Sequence, residues 1–135
     1  MKGSLSMLEP GIKGKQTETV TDEKTAGAVG SGSLSVYATP AMCALMEKTA
    51  LLSVAGELDE GMTTVGTKLD IVHTSASPLG CTITCESELT EVDRRRLVFN
   101  VIAYDNAGEI GRGTHERFIV DSVKFTAKTA EKLNK

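Results

Sequence analysis

The sequence contains no tryptophan and few other aromatic residues. Its 135 residues include only two tyrosines and three phenylalanines, so large aromatic side chains supply little of any core. The length suits one domain with its own hydrophobic core. A core with so few aromatic side chains buries little apolar surface, and association with further copies would bury more of it. We therefore predict a single domain over residues 1–135, with an ordered core at about 15–128, that associates with itself.

The sequence also lacks an excess of positive charge. The net charge is −3 at pH 7 and the pI is about 5.4, so the chain offers no broad basic surface for DNA, RNA or an anionic membrane. Long apolar runs are missing too, because no stretch approaches the roughly 18 residues of a membrane span, and residues 1–10 show no secretory signal. We expect a cytoplasmic protein without nucleic-acid or membrane partners.

Only three cysteines are present, and their spacing argues against disulfides and metal sites. Cys81 and Cys85 lie four residues apart in a predicted strand, roughly 13 Å along it, which is too far for a disulfide. The three cysteines and two histidines show no zinc-binding spacing. We expect reduced thiols, no bound metal and no cofactor.

What the chain does have is the pattern of one long apolar helix. Thr39 and Pro40 are typical of an N-cap and a first helical position, and apolar residues at 41–46, 50–52, 54 and 55 follow before Gly56. These positions cover nearly every face of a helix of about four and a half turns. The pattern predicts a helix that is surrounded by protein, with Thr39 as its cap.

Glu47 is the carboxylate within this apolar helix. An ionised carboxylate is rarely buried unless it is paired or hydrogen-bonded. Its partner is either a ligand in a cleft or a basic side chain such as Arg117 or Lys68. Glu47 is therefore a candidate catalytic carboxylate, with a buried salt bridge as the alternative.

The rest of the chain has the pattern of strands joined by short turns. Gln16–Thr21 predicts a first strand, and residues 25–33 form a small, Gly-rich segment that is either a connector or a lid. After Gly61 the hydrophobic period changes from 3.6 to 2, and short turns favour antiparallel pairing. We predict an α+β fold in which an antiparallel sheet wraps the long helix. The residues expected to share one face of each run are Val65, Thr67, Leu69, Ile71 and His73; Cys81, Ile83, Cys85, Ser87 and Leu89; Leu97, Phe99, Val101 and Ala103; and Ile110, Arg112, Thr114, Glu116, Phe118 and Val120.

Five motifs in this order are similar to those of a known family. They are Thr39-Pro40-Ala41-Met42 with Glu47, Thr63-Thr64-Val65-Gly66-Thr67, His73 before a Pro-Gly turn segment, Phe99-x-Val-x-Ala-x-Asp105, and Ile110-Gly111-x-Gly113-Thr114-His115-Glu116-Arg117. Across roughly residues 15 to 128 they resemble the hotdog-fold thioesterases of the fluoroacetyl-CoA thioesterase type. The resemblance implies a hotdog fold, a homodimer with active sites near the subunit interface, and hydrolysis of a small acyl thioester of coenzyme A; whether two dimers pair further into a tetramer stays open.

The resemblance also assigns candidate site residues. Thr39, Glu47 and His73 match the family's catalytic residues, Gly66 matches a glycine whose backbone lies against the thioester, and Arg117 matches an arginine near the ligand. Chemically, Glu47 suits a general base or nucleophile, and His73 exchanges a proton near neutral pH. The Thr39 hydroxyl suits orienting the carboxylate, polarising the carbonyl or attacking it.

Each candidate also has a purely structural interpretation. Thr39 caps a helix, His73 is a satisfied strand histidine, Gly66 marks a bulge, and Arg117 forms a cross-strand ion pair. His115 shares the predicted face of Arg117, and for it we favour the structural role.

The predicted function is hydrolysis of a small acyl-CoA thioester by the Thr39, Glu47 and His73 constellation. The alternatives are a non-catalytic module that binds or senses acyl-CoA, and, ranked lower for want of a second His-Asp pair, an enoyl-CoA hydratase of the same fold. The resemblance also implies that the halogen-selective member of the family places phenylalanines over the acyl group. Residues 30–37 contain none here, so fluoroacetyl selectivity is not carried over.

Overall fold

The apolar run before Gly61 forms a long helix and the alternating runs form strands, in a computed structural model that describes residues 8–135. The elements are β1 (Lys13–Thr19), α1 (Ala26–Val29), α2 (Thr39–Ala55), β2 (Met62–His73), β3 (Thr82–Asp93), β4 (Arg96–Asp105), β5 (Gly108–Asp121) and α3 (Ser122–Ala130), with 3-10 turns at Asp22–Lys24 and Glu131–Asn134. The strands form one antiparallel sheet in the order β1-β3-β4-β5-β2. The predicted α+β layout of a helix on an antiparallel sheet is confirmed.

The core lies between α2 and one face of the sheet. Helix α2 contacts β1, β2, β3 and β4, and the inward faces predicted for β3 and β4 are confirmed. Burying one medium apolar side chain stabilises a fold by roughly 1.5–3 kcal/mol, so many such residues hold the helix although few of them are aromatic. They are Met42, Leu45, Met46, Ala50 and Val54 from the helix, and Ile83, Cys85, Leu89, Leu97, Phe99, Val101 and Ala103 from the strands.

One face of α2 is open in the single chain. Ala44 is exposed and Leu52 retains 46% of its accessible surface, so the prediction of a helix surrounded by protein is wrong for one copy. Only one sheet packs against the helix, and it covers only the side that faces it. The helix therefore keeps an apolar strip that nothing in the described chain covers.

The inward face of β5 matches the predicted one at its two ends, where Ile110 and Val120 are buried, but is the opposite of the predicted one between them. His115, Arg117 and Ile119 are buried, whereas Phe118 is 42% exposed. Alternation predicted the face that carries Phe118, because polar residues interrupt both faces of this strand equally. The exposed face instead holds surface ion pairs, such as Arg112 with Glu109, while the buried polar side chains find hydrogen bonds inside.

A bulge in β2 changes which of its residues face the core. The register shifts between Gly66 and Lys68, so Thr64 is buried before the bulge while Leu69 lies partly buried after it. The prediction that Val65 and Leu69 share one face is therefore wrong. An extra residue in one strand reverses the alternation beyond it, and the shift occurs beside the glycine that the family resemblance singles out.

Gly113 lets β5 lie unusually close to β2. A Cβ at this position would collide with the Asp70 carbonyl oxygen and lie 2.6 Å from the Ile71 Cα, both of which are backbone atoms. We expect Gly113→Ala to lower the free energy of unfolding by at least about 2 kcal/mol, because backbone must shift to admit the methyl group. Urea denaturation would measure this loss.

The matched control for that substitution is Gly56→Ala. A Cβ at Gly56 meets nothing within 4 Å, and the φ of −72° there suits alanine. Its denaturation midpoint is expected to stay close to that of the unaltered protein. Equal midpoints for the two variants would show that β2 yields easily at Gly113.

The two ends of the chain were expected to be loose or only locally ordered. Most of residues 126–135 lie in the exposed helix α3 and the turn after it, neither of which has a buried residue, so this end is locally ordered. Residues 1–14 carried the same expectation. Residues 1–7 of that segment lie outside the described residues, but Leu8 is buried and Lys13 begins β1, earlier than the predicted Gln16–Thr21.

Candidate active site

Thr39 begins α2 but does not cap it. The N-cap is Ala38, which makes no side-chain capping bond, and Pro40 follows in the first turn. The predicted cap role of Thr39 is therefore wrong. Its hydroxyl Oγ1 lies instead 2.7 Å from Nδ1 of His73, at the end of β2. Because capping does not use this hydroxyl, Thr39 and His73 form a pair that can move a proton between oxygen and nitrogen.

His73 is held by Tyr37 and partly shielded from water. The Tyr37 ring meets the imidazole edge-on with ring centroids 6.4 Å apart, and its hydroxyl donates to Glu18 Oε2 at 2.5 Å. Burial lowers the pKa of His73, and the Ser75 backbone, which favours the protonated ring, opposes this in part. The Nε2 atom is buried and has no hydrogen-bond partner within the described residues. His73 is thus neutral at pH 7 and suited to accept a proton.

The lowered pKa of His73 predicts the pH dependence of activity. A base acts only when it is deprotonated, so kcat/KM is lost as the pH falls through the pKa of the folded protein. Burial holds that pKa below its ordinary 6.5, so we expect the acidic limb of kcat/KM to have its midpoint below this value. A pH series of thiol release, with circular dichroism to confirm folding at each pH, measures it. A midpoint above 6.5 would contradict a buried neutral base.

A second group of side chains converges over Gly66. A Cβ built on Gly66 would lie 3.3 Å from His115 Cε1, 3.4 Å from Arg117 Nη1 and 3.5 Å from Glu47 Oε1. Only a residue without a side chain leaves this space open, so the strand backbone is accessible to a ligand here. The group presents a carboxylate, a guanidinium and an imidazole to one small volume.

The environment of Glu47 differs from the predicted one. It is exposed in the single chain, and no ion pair within 4.0 Å joins it to Arg117 or Lys68 in the part of the chain that the structure describes. The alternative of a buried salt bridge is therefore wrong. Its charge acts on Arg117 at longer range and opposes the lowering of the Arg117 pKa by burial.

Arg117 is buried and is hydrogen-bonded without a carboxylate. Its Nε donates to Thr64 Oγ1 at 2.7 Å and its Nη2 to the Thr64 carbonyl at 2.8 Å, while Nη1 lies 3.1 Å from His115 Nε2. The expected cross-strand ion pair with an acidic residue is wrong. Thr64 and His115 are site residues that sequence reasoning missed in this role, although the shared face of His115 and Arg117 was an available signal.

The two groups lie apart within one chain. Thr39 and Glu47 are eight residues apart on one stripe of α2, or about 12 Å, and Gly66 and His73 are seven residues apart on β2, or roughly 23 Å. Cys43 lies between Thr39 and Glu47, and burial together with Glu47 raises its thiol pKa, so it stays a weak nucleophile. The chain brings Thr39 to His73, and Glu47 to Gly66 and Arg117, but it does not join the groups.

A cavity of about 270 Å³ opens beside the Thr39 and His73 pair. Its wall includes Ala26 and Ser31 from the Gly-rich segment, and the small residue Ala76 from the loop after β2. The size suits a small organic group next to the reactive pair. No cluster of three or more metal-ligating side chains was found among the described residues.

A long helix on an antiparallel sheet, with a Thr–His pair where the helix begins and a carboxylate over a strand glycine, defines a hotdog-fold acyl-CoA thioesterase. The family model described as fluoroacetyl-CoA-specific thioesterase matches residues 20–123. Fluoroacetyl-CoA thioesterase of Streptantibioticus cattleyicolor is 42% identical over 97 residues, which cover 72% of this chain and 70% of that protein. The chain therefore belongs to the fluoroacetyl-CoA-specific thioesterase family.

Solved structures agree with this assignment. The fluoroacetyl-CoA thioesterase FlK superposes with a TM-score of 0.87 at 34% identity, over 93% of this chain and 97% of that one. A hot-dog-like protein from Thermanaerovibrio acidaminovorans superposes with a TM-score of 0.85 at 20% identity, over 94% of each chain, and it supports the fold alone. The predicted family, fold and enzyme class are confirmed. Among the described residues, no helix has the length and apolar character needed to span a membrane.

Proposed function

We propose that the protein hydrolyses a small acyl thioester of coenzyme A with Thr39, His73 and Glu47. The observation that carries this proposal is the 2.7 Å contact between Thr39 Oγ1 and His73 Nδ1 beside a cavity. In one route His73 would take the hydroxyl proton as Thr39 attacks the carbonyl and give it to the departing coenzyme A thiolate, after which water would release the acid from Thr39. In the other, Thr39 would orient the thioester while Glu47 takes a proton from the water that displaces the coenzyme A thiolate. In both routes the free N–H groups at the start of α2 stabilise the developing oxyanion.

Gly66 and Arg117 are proposed to hold the substrate. The open space over Gly66 admits the thioester close to the β2 backbone, and Arg117 Nη1 points at the same space. A guanidinium at this place donates hydrogen bonds to an electron-rich acyl group or to the developing carboxylate. Glu47 faces the same volume, which puts the carboxylate near the carbon that is attacked.

The acyl group is proposed to be small but not restricted to fluoroacetyl. The related enzyme from Streptantibioticus cattleyicolor is named for fluoroacetyl-CoA. The cavity wall here carries Ala26, Ser31 and Ala76, and no phenylalanine occurs in residues 30–37. Val36 and Tyr37 also line this wall, and the small side chains on its other sides are expected to admit acyl groups longer than two carbons.

We further propose that a homodimer completes the site. Thr39 with His73, and Glu47 with Gly66 and Arg117, are too far apart in one chain to act on one carbonyl. Two features indicate how a second copy would join them: β2 is an edge strand of the sheet, and the apolar strip of α2 is uncovered. Edge strands pair readily with other strands, and closed dimers are two-fold symmetric.

Antiparallel pairing of β2 with its symmetry mate supports this arrangement. If the two-fold axis passes between Leu69 and Asp70, His73 of one copy lies opposite Gly66 of the other. Each site then takes Thr39 and His73 from one copy, and Glu47, Gly66 and Arg117 from its mate. The dimer would bury the exposed strip of α2, and further pairing into tetramers is compatible with it.

The proposed chemistry uses side chains and water only, so we propose that no cofactor or metal is required. Cys43, Cys81 and Cys85 are all free, which suits a reducing compartment. Together with a coenzyme A ester as substrate, this supports the cytoplasm as the location. Dialysis against a strong chelator is expected to leave activity unchanged.

A panel of coenzyme A esters tests the proposed function. Acetyl-, fluoroacetyl-, butyryl-, octanoyl- and phenylacetyl-CoA would be assayed by release of free thiol, each beside His73→Ala. Turnover that His73→Ala loses supports the proposal and ranks the acyl groups. Binding of the esters in a thermal-shift assay without turnover would indicate the sensing module instead, and hydration of an enoyl-CoA without thiol release would indicate the hydratase.

A further inference from the structure

His115 is a buried titratable residue that the proposed reaction does not use. It is 1% exposed, and its Nδ1 lies 2.8 Å from the Lys68 carbonyl oxygen. A carbonyl oxygen only accepts, so Nδ1 carries the hydrogen. In the neutral ring Nε2 is then a bare acceptor, and it receives the Nη1 hydrogen bond of Arg117 at 3.1 Å.

The ring is kept neutral and fixed in place by its surroundings. Burial, with the nearby charge of Arg117, lowers the pKa of His115, although the Lys68 carbonyl and Glu47 act in the opposite direction. Phe99, which is wholly buried, lies against the imidazole with ring centroids 6.2 Å apart. The acceptor therefore has one protonation state and one orientation.

The guanidinium of Arg117 is consequently held from two sides. Thr64 binds Nε and Nη2, and His115 binds Nη1, the nitrogen nearest the open space over Gly66. With Thr64 alone, the guanidinium plane can pivot about that pair of bonds and Nη1 has no buried acceptor. The His115 contact removes this freedom at the atom that faces the substrate volume.

We propose that His115 is a positioning residue for thioester hydrolysis, which sets the direction of Arg117 Nη1 toward the space over Gly66. This rests on the proposed role of Arg117 in binding the substrate. His115 reaches the reaction through Arg117 and not by proton transfer. His115 also links the orientation of Arg117 to the β2 bulge. Its Nδ1 donates to the Lys68 carbonyl at the point where the register shifts.

Two substitutions at His115 separate positioning from simple packing. Leucine fills a similar volume without an acceptor, whereas the side-chain oxygen of glutamine reaches close to the former Nε2 position and accepts. We expect His115→Leu to lower kcat by about 10- to 100-fold, as misplacement of a binding group by about 1 Å does, with a smaller change in KM. His115→Gln is expected to recover most of the loss. Thermal melts of both variants show whether they fold.

A double-mutant cycle with Arg117→Ala completes the test. If His115 acts through Arg117, His115→Leu in the Arg117→Ala background causes no further loss of kcat. Additive losses, or equal defects in the leucine and glutamine variants, would overturn the proposal. Should His115→Leu fail to fold, His115→Asn replaces it, because the asparagine side chain is too short to place its oxygen at the Nε2 position. If the unaltered protein releases no thiol from any ester, the proposed function fails, and the same cycle is then measured on acyl-CoA affinity: a loss with His115→Leu that Arg117→Ala abolishes supports the positioning of Arg117, and additive losses overturn it.

Discussion

Glu47→Gln is expected to reduce kcat/KM for thioester hydrolysis by about 10³-fold or more, while acyl-CoA affinity changes little. Glutamine keeps the shape of the side chain but is neither a base nor a nucleophile, and a positioned base or nucleophile typically contributes 10²- to 10⁴-fold. Glu47 is exposed in the single chain and forms no ion pair among the described residues, so stability is expected to stay unchanged. Initial rates of thiol release at substrate concentrations below KM and calorimetric titration of an acyl-CoA measure the two effects.

Glu60→Gln is the matched control for that experiment. Glu60 is also exposed and follows the same helix, but it lies away from Gly66 and Arg117. Glu60→Gln removes one negative charge, as Glu47→Gln does. It is expected to leave kcat/KM within about twofold of the value for the unaltered protein, because substitutions at exposed sites usually have small effects. If Glu47→Gln keeps full turnover, the carboxylate has no part in the chemistry and Thr39 with His73 must suffice.

Mixing two inactive variants is expected to restore activity if the site spans two copies. Take His73→Ala and Glu47→Gln in equal amounts, unfold them together and refold them. Half of the dimers then contain one of each, and one site in such a dimer has an intact His73 and an intact Glu47. The mixture should reach about a quarter of the activity of the unaltered protein.

The pair Thr39→Ala and His73→Ala provides the control for the mixing experiment. Both substitutions fall in the same group, so every site of a mixed dimer carries one of them and no activity is expected to return. If the first mixture also stays inactive, although size-exclusion chromatography shows dimers, each site belongs to a single chain. Restored activity in both mixtures would place Thr39 and His73 in different sites.

Much of the fold followed from periodicity in the sequence. The apolar run after Thr39 became α2, and the alternating runs after Gly61 became four antiparallel strands, because side-chain burial repeats with the geometry of each element. The inward faces of β3 and β4 matched residue by residue. The single-domain reading of residues 1–135 stays a prediction.

The errors share a local cause. In β2 the bulge at Gly66 reversed the alternation. In β5 the polar residues His115 and Arg117 face inward, because hydrogen-bond partners on β2 satisfy them there. Alternation identifies the inner face only when one face is clearly apolar and the register is unbroken. The partners, such as Thr64, lie on another strand and cannot be read from β5 itself.

By itself the sequence determined the elements of this protein and its family, because both are local: hydrophobic period, turn residues and the order of short motifs. Only the tertiary structure decided that Thr39 pairs with His73 instead of capping its helix. It also decided that Glu47 is exposed to solvent while Arg117 is buried, and that His115 forms a hydrogen bond with Arg117. The long-range contacts behind these features join residues 34 positions apart for Thr39 and His73, 47 for Lys68 and His115 and 53 for Thr64 and Arg117, and their energies depend on which strands pair and where a bulge shifts them. That information enters only when the chain folds back on itself.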